Sequence, residues 1–148
     1  MARPNAELVT ALRTTASRLR DGAAYRWSSF AACNCGNLVQ TVTSLSAKEI
    51  HEAAFQRPGD WAEQAREYCP GTGYPLDYVF QRLFELGLER EDIGHLERLS
   101  CPRVRRRVGI DVELHHNRRA DVVRYMEAWA DMLEEQLPAP HDQALAAE

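Results

Sequence analysis

Two capping boxes near the middle of the chain are its strongest local constraint on folding. Ser46 is followed three residues later by Glu49, and Asp60 is followed in the same way by Glu63. In a capping box, these two side chains satisfy backbone amides that the first turn of a helix leaves without partners. Each box therefore predicts a helix, and the second of these helices is short and extends to about Tyr68.

Apolar residues recur at helical spacing in other segments of the chain. These segments predict one helix after Asn5, one that begins near Gly36, two that span residues 76–86 and 89–99, and one after Asn117. Together the segments predict a mainly α-helical fold, a single compact domain of about six helices over residues 1–137. Residues 138–148 lack an apolar pattern, and we expect them to form a flexible tail.

One segment has the alternation that is typical of a β-strand. Val108, Ile110, Val112 and Leu114 alternate strictly with glycine or acidic residues, and this is the only such pattern in the chain. Because a strand needs a partner for its backbone hydrogen bonds, we expect pairing with residues 24–32 or with a second copy of the chain. The predicted fold is thus mainly α with room for one short two-stranded β element.

The composition bounds the class of protein. Of 148 residues, 45% are hydrophobic and 27% are charged, so a domain of this length can bury a core without disulfides. The chain has no run of about 20 apolar residues, which a transmembrane helix would require, and its net charge of −4 does not favour nucleic-acid binding. The amino-terminal residues lack the apolar stretch of a secretory signal. We therefore expect a cytoplasmic protein that binds neither nucleic acid nor a membrane.

The four cysteines are the main chemical signal. Cys33 and Cys35 precede a predicted helix, whereas Cys69 and Cys101 each stand before a proline that follows one. Such turns can direct backbone amides at sulfur, and a helix amino terminus lowers the pKa of a nearby thiol. Four reduced thiols can hold a zinc ion or an iron–sulfur cluster. We predict that these four cysteines form such a metal site, with a structural, redox or sensing role.

The cysteine spacing leaves other roles open. Thirty-three and 31 residues separate Cys35, Cys69 and Cys101, unlike the close pairs of a standard zinc knuckle, so His95 is a substitute ligand for Cys101. The thiols can instead be core residues of a metal-free interaction module, with an unidentified protein partner or a homodimer formed through the strand. A third hypothesis is a thiol-dependent enzyme in which Cys69 is the nucleophile and His95 or His115 is the base.

Aromatic residues flank the cysteine segments, and arginines cluster nearer the carboxyl terminus. The aromatic residues are Tyr25, Trp27, Phe30, Trp61, Tyr68, Tyr74 and Tyr78. We expect them to pack in the core, and the alternative is that they line a pocket around the site. Residues 103–124 contain seven arginines and three acidic residues. We interpret this basic region as a solvated face rather than a docking site.

Overall fold

All regular secondary structure in the described part of the chain is α-helical. The computed structural model describes residues 1–56, 58–68 and 76–138, which contain eight helices and no strand. The helices are α1 (Ala6–Arg20), α2 (Asn34–Thr43), α3 (Ala47–Ala54), α4 (Trp61–Glu67), α5 (Leu76–Glu85), α6 (Arg90–Arg98), α7 (Pro102–Val108) and α8 (Arg119–Glu135). The predicted mainly α-helical fold class is confirmed. No described helix is long and apolar enough to cross a membrane.

The two longest described helices, α1 and α8, pack along each other more extensively than any other described pair. Their contact faces bury Leu8, Leu12, Leu19, Val122, Met126, Trp129 and Leu133. Within each helix these residues are three, four or seven positions apart, so they lie on one face of each helix. Full burial of an apolar side chain of this size contributes about 1.5–3 kcal/mol, and this seam is therefore a main source of stability.

Side-chain caps begin three helices where the sequence predicts them. Asn5 accepts a hydrogen bond from the Leu8 amide at 2.8 Å, and the Asp60 carboxylate caps α4 in the same way. Ser46 and Glu49 form the complete capping box at the start of α3. These helix starts are confirmed because each cap is satisfied within one turn of the chain.

The strand predicted from the alternation of residues 108–114 is wrong. Val108 is the last residue of α7, and the residues that follow it form a loop. Pro102 begins this helix, because the first helical position needs no amide hydrogen. Gly109 then has a φ of +132°, and the side chain of Ile110 is 84% exposed. The alternating residues have no neighbouring strand in the described part of the chain, so the two-stranded β element is absent there.

The last helix also begins differently from the prediction. Arg118 rather than Asn117 occupies the N-cap position of α8, and its side chain makes no capping hydrogen bond. The Asp121 carboxylate in the first turn accepts a hydrogen bond from the His115 amide at 2.9 Å. This contact holds the preceding loop against the helix start. The predicted tail lies outside the described residues from residue 139 onward.

The start of α2 lies directly against the backbone of residues 30–31. A Cβ atom on Gly36 would lie 2.1 Å from the carbonyl oxygen of Phe30 and 2.5 Å from the carbonyl carbon of Ala31. Both atoms belong to the backbone, so they cannot rotate away as a side chain would. The same Phe30 oxygen accepts a hydrogen bond from the Trp61 indole at 2.9 Å. Glycine at position 36 therefore allows α2, the 24–33 loop and α4 to meet.

We expect Gly36→Ala to lower the free energy of unfolding by about 2–3 kcal/mol, because the added methyl group forces the loop away from α2. Chemical denaturation followed by circular dichroism measures this loss. Gly94→Ala is the matched control, since its Cβ would meet only the Ala62 Cβ at an ordinary 3.6 Å. That control should be neutral or slightly stabilising, as for alanine in a helix interior. Equal stability of Gly36→Ala and the wild type would contradict the packing described.

Candidate functional site

The Cys-Asn-Cys-Gly-Asn segment at residues 33–37 begins α2 and joins it to three other segments. The Cys33 sulfur is the N-cap and accepts a hydrogen bond from the Gly36 amide at 3.3 Å. The buried Asn34 amide nitrogen donates to the carbonyl oxygens of Leu96, Glu97 and His116, each at 3.0 Å. These bonds attach the start of α2 to the end of α6 and to the loop before α8.

The same segment also orders the loop between α1 and α2. The Asn34 side-chain oxygen accepts a hydrogen bond from the Tyr25 hydroxyl at 2.7 Å. The buried Asn37 amide nitrogen donates to the carbonyl oxygens of Ala24 and Ala32, at 3.3 and 2.9 Å. Because buried amides need such partners, the loop has a defined path next to α2 and α6.

Three aromatic residues from this loop and from α4 surround a cavity of about 230 Å³. Trp27 and Phe30 come from the loop, and Trp61 is the first residue of α4. The Trp27 indole donates to the Glu97 carbonyl oxygen at 3.2 Å, and the ring centroids of Phe30 and Trp61 lie 5.8 Å apart. These three aromatic residues line a pocket beside Cys33, and the expected core packing also holds for Trp61, which is buried in the core.

The polar lining of the cavity includes two serines, Ser28 and Ser29, and three charged side chains. Asp60, Glu97 and Arg98 line it together with Cys33. The Glu97 residue is only 9% exposed, although it lies in the last turn of α6. The backbone amides of Trp61 and of the residue after it, at the start of α4, lie close to its carboxylate and favour the ionised form. Among the described residues it makes no ion pair.

Burial determines the ionisation of Glu97. Removal from water, with a smaller contribution from the nearby Asp60 carboxylate, raises the pKa of Glu97 to about 7. The α4 amides and Arg98 act in the opposite direction, but they do not offset the burial. The cavity thus contains a carboxyl group that changes its charge near neutral pH.

Two of the three described cysteines are buried and serve the packing of α2. The Cys33 thiol donates to the Phe30 carbonyl oxygen at 3.5 Å, and the Cys35 thiol donates to the Ile93 carbonyl oxygen at 3.3 Å. Burial raises the pKa of Cys33 to about 11, and it raises the pKa of Cys35 well above its usual value. Both thiols are therefore protonated at neutral pH. Cys101 is partly buried at the start of α7 and is free as well.

The described residues do not assemble the predicted metal site. Cys33 lines the cavity, and Cys35 faces α6. Cys101 lies next to α8, where its backbone amide donates a hydrogen bond to the Tyr125 hydroxyl. Within residues 1–56, 58–68 and 76–138, no group of three or more His, Cys, Asp or Glu side chains is placed to hold a metal ion. Cys69 lies outside these ranges. The four-cysteine site therefore stays a prediction.

The histidines considered from the sequence occupy other surroundings. The Nδ1 atom of His95 lies 2.8 Å from the Ser100 hydroxyl. His115 lies 3.7 Å from the Glu113 carboxylate and is partly exposed. Because Cys69 is not described, the proposed pairing of this thiol with either histidine also stays a prediction.

No model of a protein family, no curated protein and no solved structure matches the chain. The candidate site must therefore be interpreted from its own geometry. The sequence did not indicate Glu97, because an acidic residue in a polar helix is typically exposed. The sequence indicated Asp60 only as a helix cap and not as a residue of the cavity.

The raised pKa of Glu97 predicts that stability falls as the pH rises from about 4.5 to above 7, since the folded state holds its proton more tightly than the unfolded state. We expect Glu97→Gln to remove this dependence and to stabilise the protein at pH 8 by on the order of 2 kcal/mol. Urea denaturation at pH 5 and pH 8 measures both effects. Glu52→Gln, at an exposed position of α3, is the control. An unchanged pH dependence in Glu97→Gln would refute the assignment.

Proposed function

We propose that this protein binds a small organic cation, such as an alkylated ammonium group, in the cavity lined by Trp27, Phe30, Trp61, Asp60 and Glu97. The observation that carries the proposal is the buried Glu97 carboxylate among aromatic rings, without a cation paired to it in the described part of the chain.

The aromatic walls suit the apolar and cationic parts of such a ligand together. A cation near the face of a tryptophan is attracted by the ring electrons, and alkyl groups on the nitrogen gain from apolar contact. Trp61 is held by its bond to the Phe30 carbonyl oxygen, and Trp27 is held by its bond to the Glu97 carbonyl oxygen. The walls are therefore ordered before a ligand binds, which lowers the entropic cost of binding.

The carboxylates supply the opposite charge. A buried carboxylate is costly unless a positive group compensates it. Glu97 forms no ion pair with a described residue, and only the α4 amides and the charge of Arg98 favour its ionised form. Asp60 adds a second carboxylate at the edge of the cavity, where it also caps α4. Two carboxylates and the single guanidinium of Arg98 leave the cavity with a net negative charge once Glu97 is ionised.

The size of the cavity limits the ligand. Sites for drug-sized molecules typically have volumes of about 300–1,000 Å³, and this cavity is smaller, at about 230 Å³. A quaternary or tertiary ammonium group with short substituents matches this volume. This proposal makes the protein a binding protein, and it assigns no reaction to it.

Titration calorimetry with tetramethylammonium chloride tests the proposal, with tert-butanol as the uncharged probe of the same shape. We expect saturable binding of the ammonium ion only. Trp27→Ala should weaken binding about tenfold, as a lost cation–π contact would, and Glu97→Gln should weaken it at least as much. Tyr78→Ala removes an exposed aromatic residue that does not line the cavity, so it should bind normally. Equal binding of the two probes, or none of either, would overturn the proposal.

The zinc or iron–sulfur centre on Cys33, Cys35, Cys69 and Cys101 is a second proposal, supported by the two neighbouring cysteines at the start of α2. It depends on Cys69, because the described residues alone offer no group of three ligands. Elemental analysis of protein purified with and without oxygen should then find zinc or iron, reduced in Cys69→Ser. Metal content that is unchanged in this variant would exclude the site.

A further inference from the structure

A second depression of about 430 Å³ lies beside the aromatic cavity, along the seam between α4 and α6. Arg66 of α4 and Arg90, His95 and Arg98 of α6 line it, and we call it the arginine groove. Ala62 and Gly94 also line it, and their small size leaves room between the longer side chains. Arg98 lines both the groove and the aromatic cavity, so the two sites meet at this residue.

The arginine groove has an excess of positive charge. Three arginines line it together with one carboxylate, that of Glu91. Neither Arg66 nor Arg98 forms an ion pair with any described residue. Arg90 donates to backbone carbonyl oxygens at the end of α4, at 2.7–3.0 Å, which fixes its position without neutralising its charge. In a chain with a net charge of −4, this concentration of unneutralised arginine indicates an anionic ligand.

The donors of the groove match the chemistry of a phosphate group. Guanidinium groups bind phosphate oxygens through paired hydrogen bonds, which are stronger than those of neutral donors. The His95 ring is oriented by its 2.8 Å contact with the Ser100 hydroxyl. This contact uses Nδ1, and Nε2 has no partner among the described residues. His95 and the two arginines without ion pairs, Arg66 and Arg98, are therefore available to a phosphate together.

We propose that the arginine groove binds the phosphate group of the same ligand whose ammonium group occupies the aromatic cavity. The ligand class is then an alkylammonium phosphate ester, either as a soluble compound or as a lipid headgroup. This inference rests on the proposed cation binding. It follows from Arg98, which lines the aromatic cavity together with Glu97 and the arginine groove together with His95.

Calorimetry with tetramethylammonium, inorganic phosphate and phosphocholine tests the inference on the full chain. We expect phosphocholine to bind at least tenfold more tightly than tetramethylammonium or inorganic phosphate. Arg98→Gln should remove this advantage, while tetramethylammonium should bind this variant more tightly than the wild type, because Arg98 lines the aromatic cavity and a like charge has been removed. Arg106→Gln, at an exposed position of α7 outside both sites, should retain the full advantage.

The outcomes separate the two proposals. If tetramethylammonium binds but phosphocholine binds no more tightly, the inference fails and the cation site stands. The inference is also overturned if Arg98→Gln keeps the advantage of phosphocholine, and both proposals are overturned if no probe binds. Sedimentation with phosphatidylcholine vesicles distinguishes the sources: binding that depends on Arg98 supports a lipid headgroup, and binding of soluble phosphocholine alone supports a soluble ester.

Discussion

The buried side-chain amide of Asn34 is the interaction on which the geometry of the cavity depends. It donates hydrogen bonds to the carbonyl oxygens of Leu96 and Glu97 at the end of α6, because the last carbonyl oxygens of a helix have no amide partner within the helix. It also bonds His116 in the loop before α8, and it accepts from Tyr25. Leaving a buried polar group without such a partner costs about 1–3 kcal/mol. This one side chain therefore fixes three segments against the start of α2.

The cavity depends on this arrangement in two ways. The last turn of α6 is placed so that the Glu97 side chain lies against the start of α4, where backbone amides stabilise its carboxylate. The loop that carries Trp27 and Phe30 is held by the same segment, so aromatic rings and a buried carboxylate come together. A carboxyl group that is buried without an ion pair lowers stability when it ionises, and its position beside a cavity is the basis of the proposed cation binding.

Much of the fold could be predicted from the sequence, and less of the site. The caps at Asn5, Ser46 and Asp60 were correct, because a cap and the amide it satisfies lie within one turn. The alternation in residues 108–114 was misleading, since a strand requires a partner that local sequence does not show. For the flanking aromatic residues the expected core packing holds for Trp61, but Trp27, Phe30 and Trp61 also line a pocket beside Cys33. Glu97 was missed because its burial depends on α4, more than 30 residues earlier in the chain.

The sequence by itself determined that this chain forms helices and where most of them begin, because helical spacing and side-chain caps act over a few residues. Only the tertiary structure decided what the Cys-Asn-Cys-Gly-Asn segment does. Its thiols are neutral and donate to carbonyl oxygens, Asn34 joins α2 to distant segments, and Gly36 packs against the backbone of residues 30–31. Burial and hydrogen-bond partners set these roles, and the Ile93 and Leu96 carbonyl oxygens among these partners lie about 60 residues away along the chain.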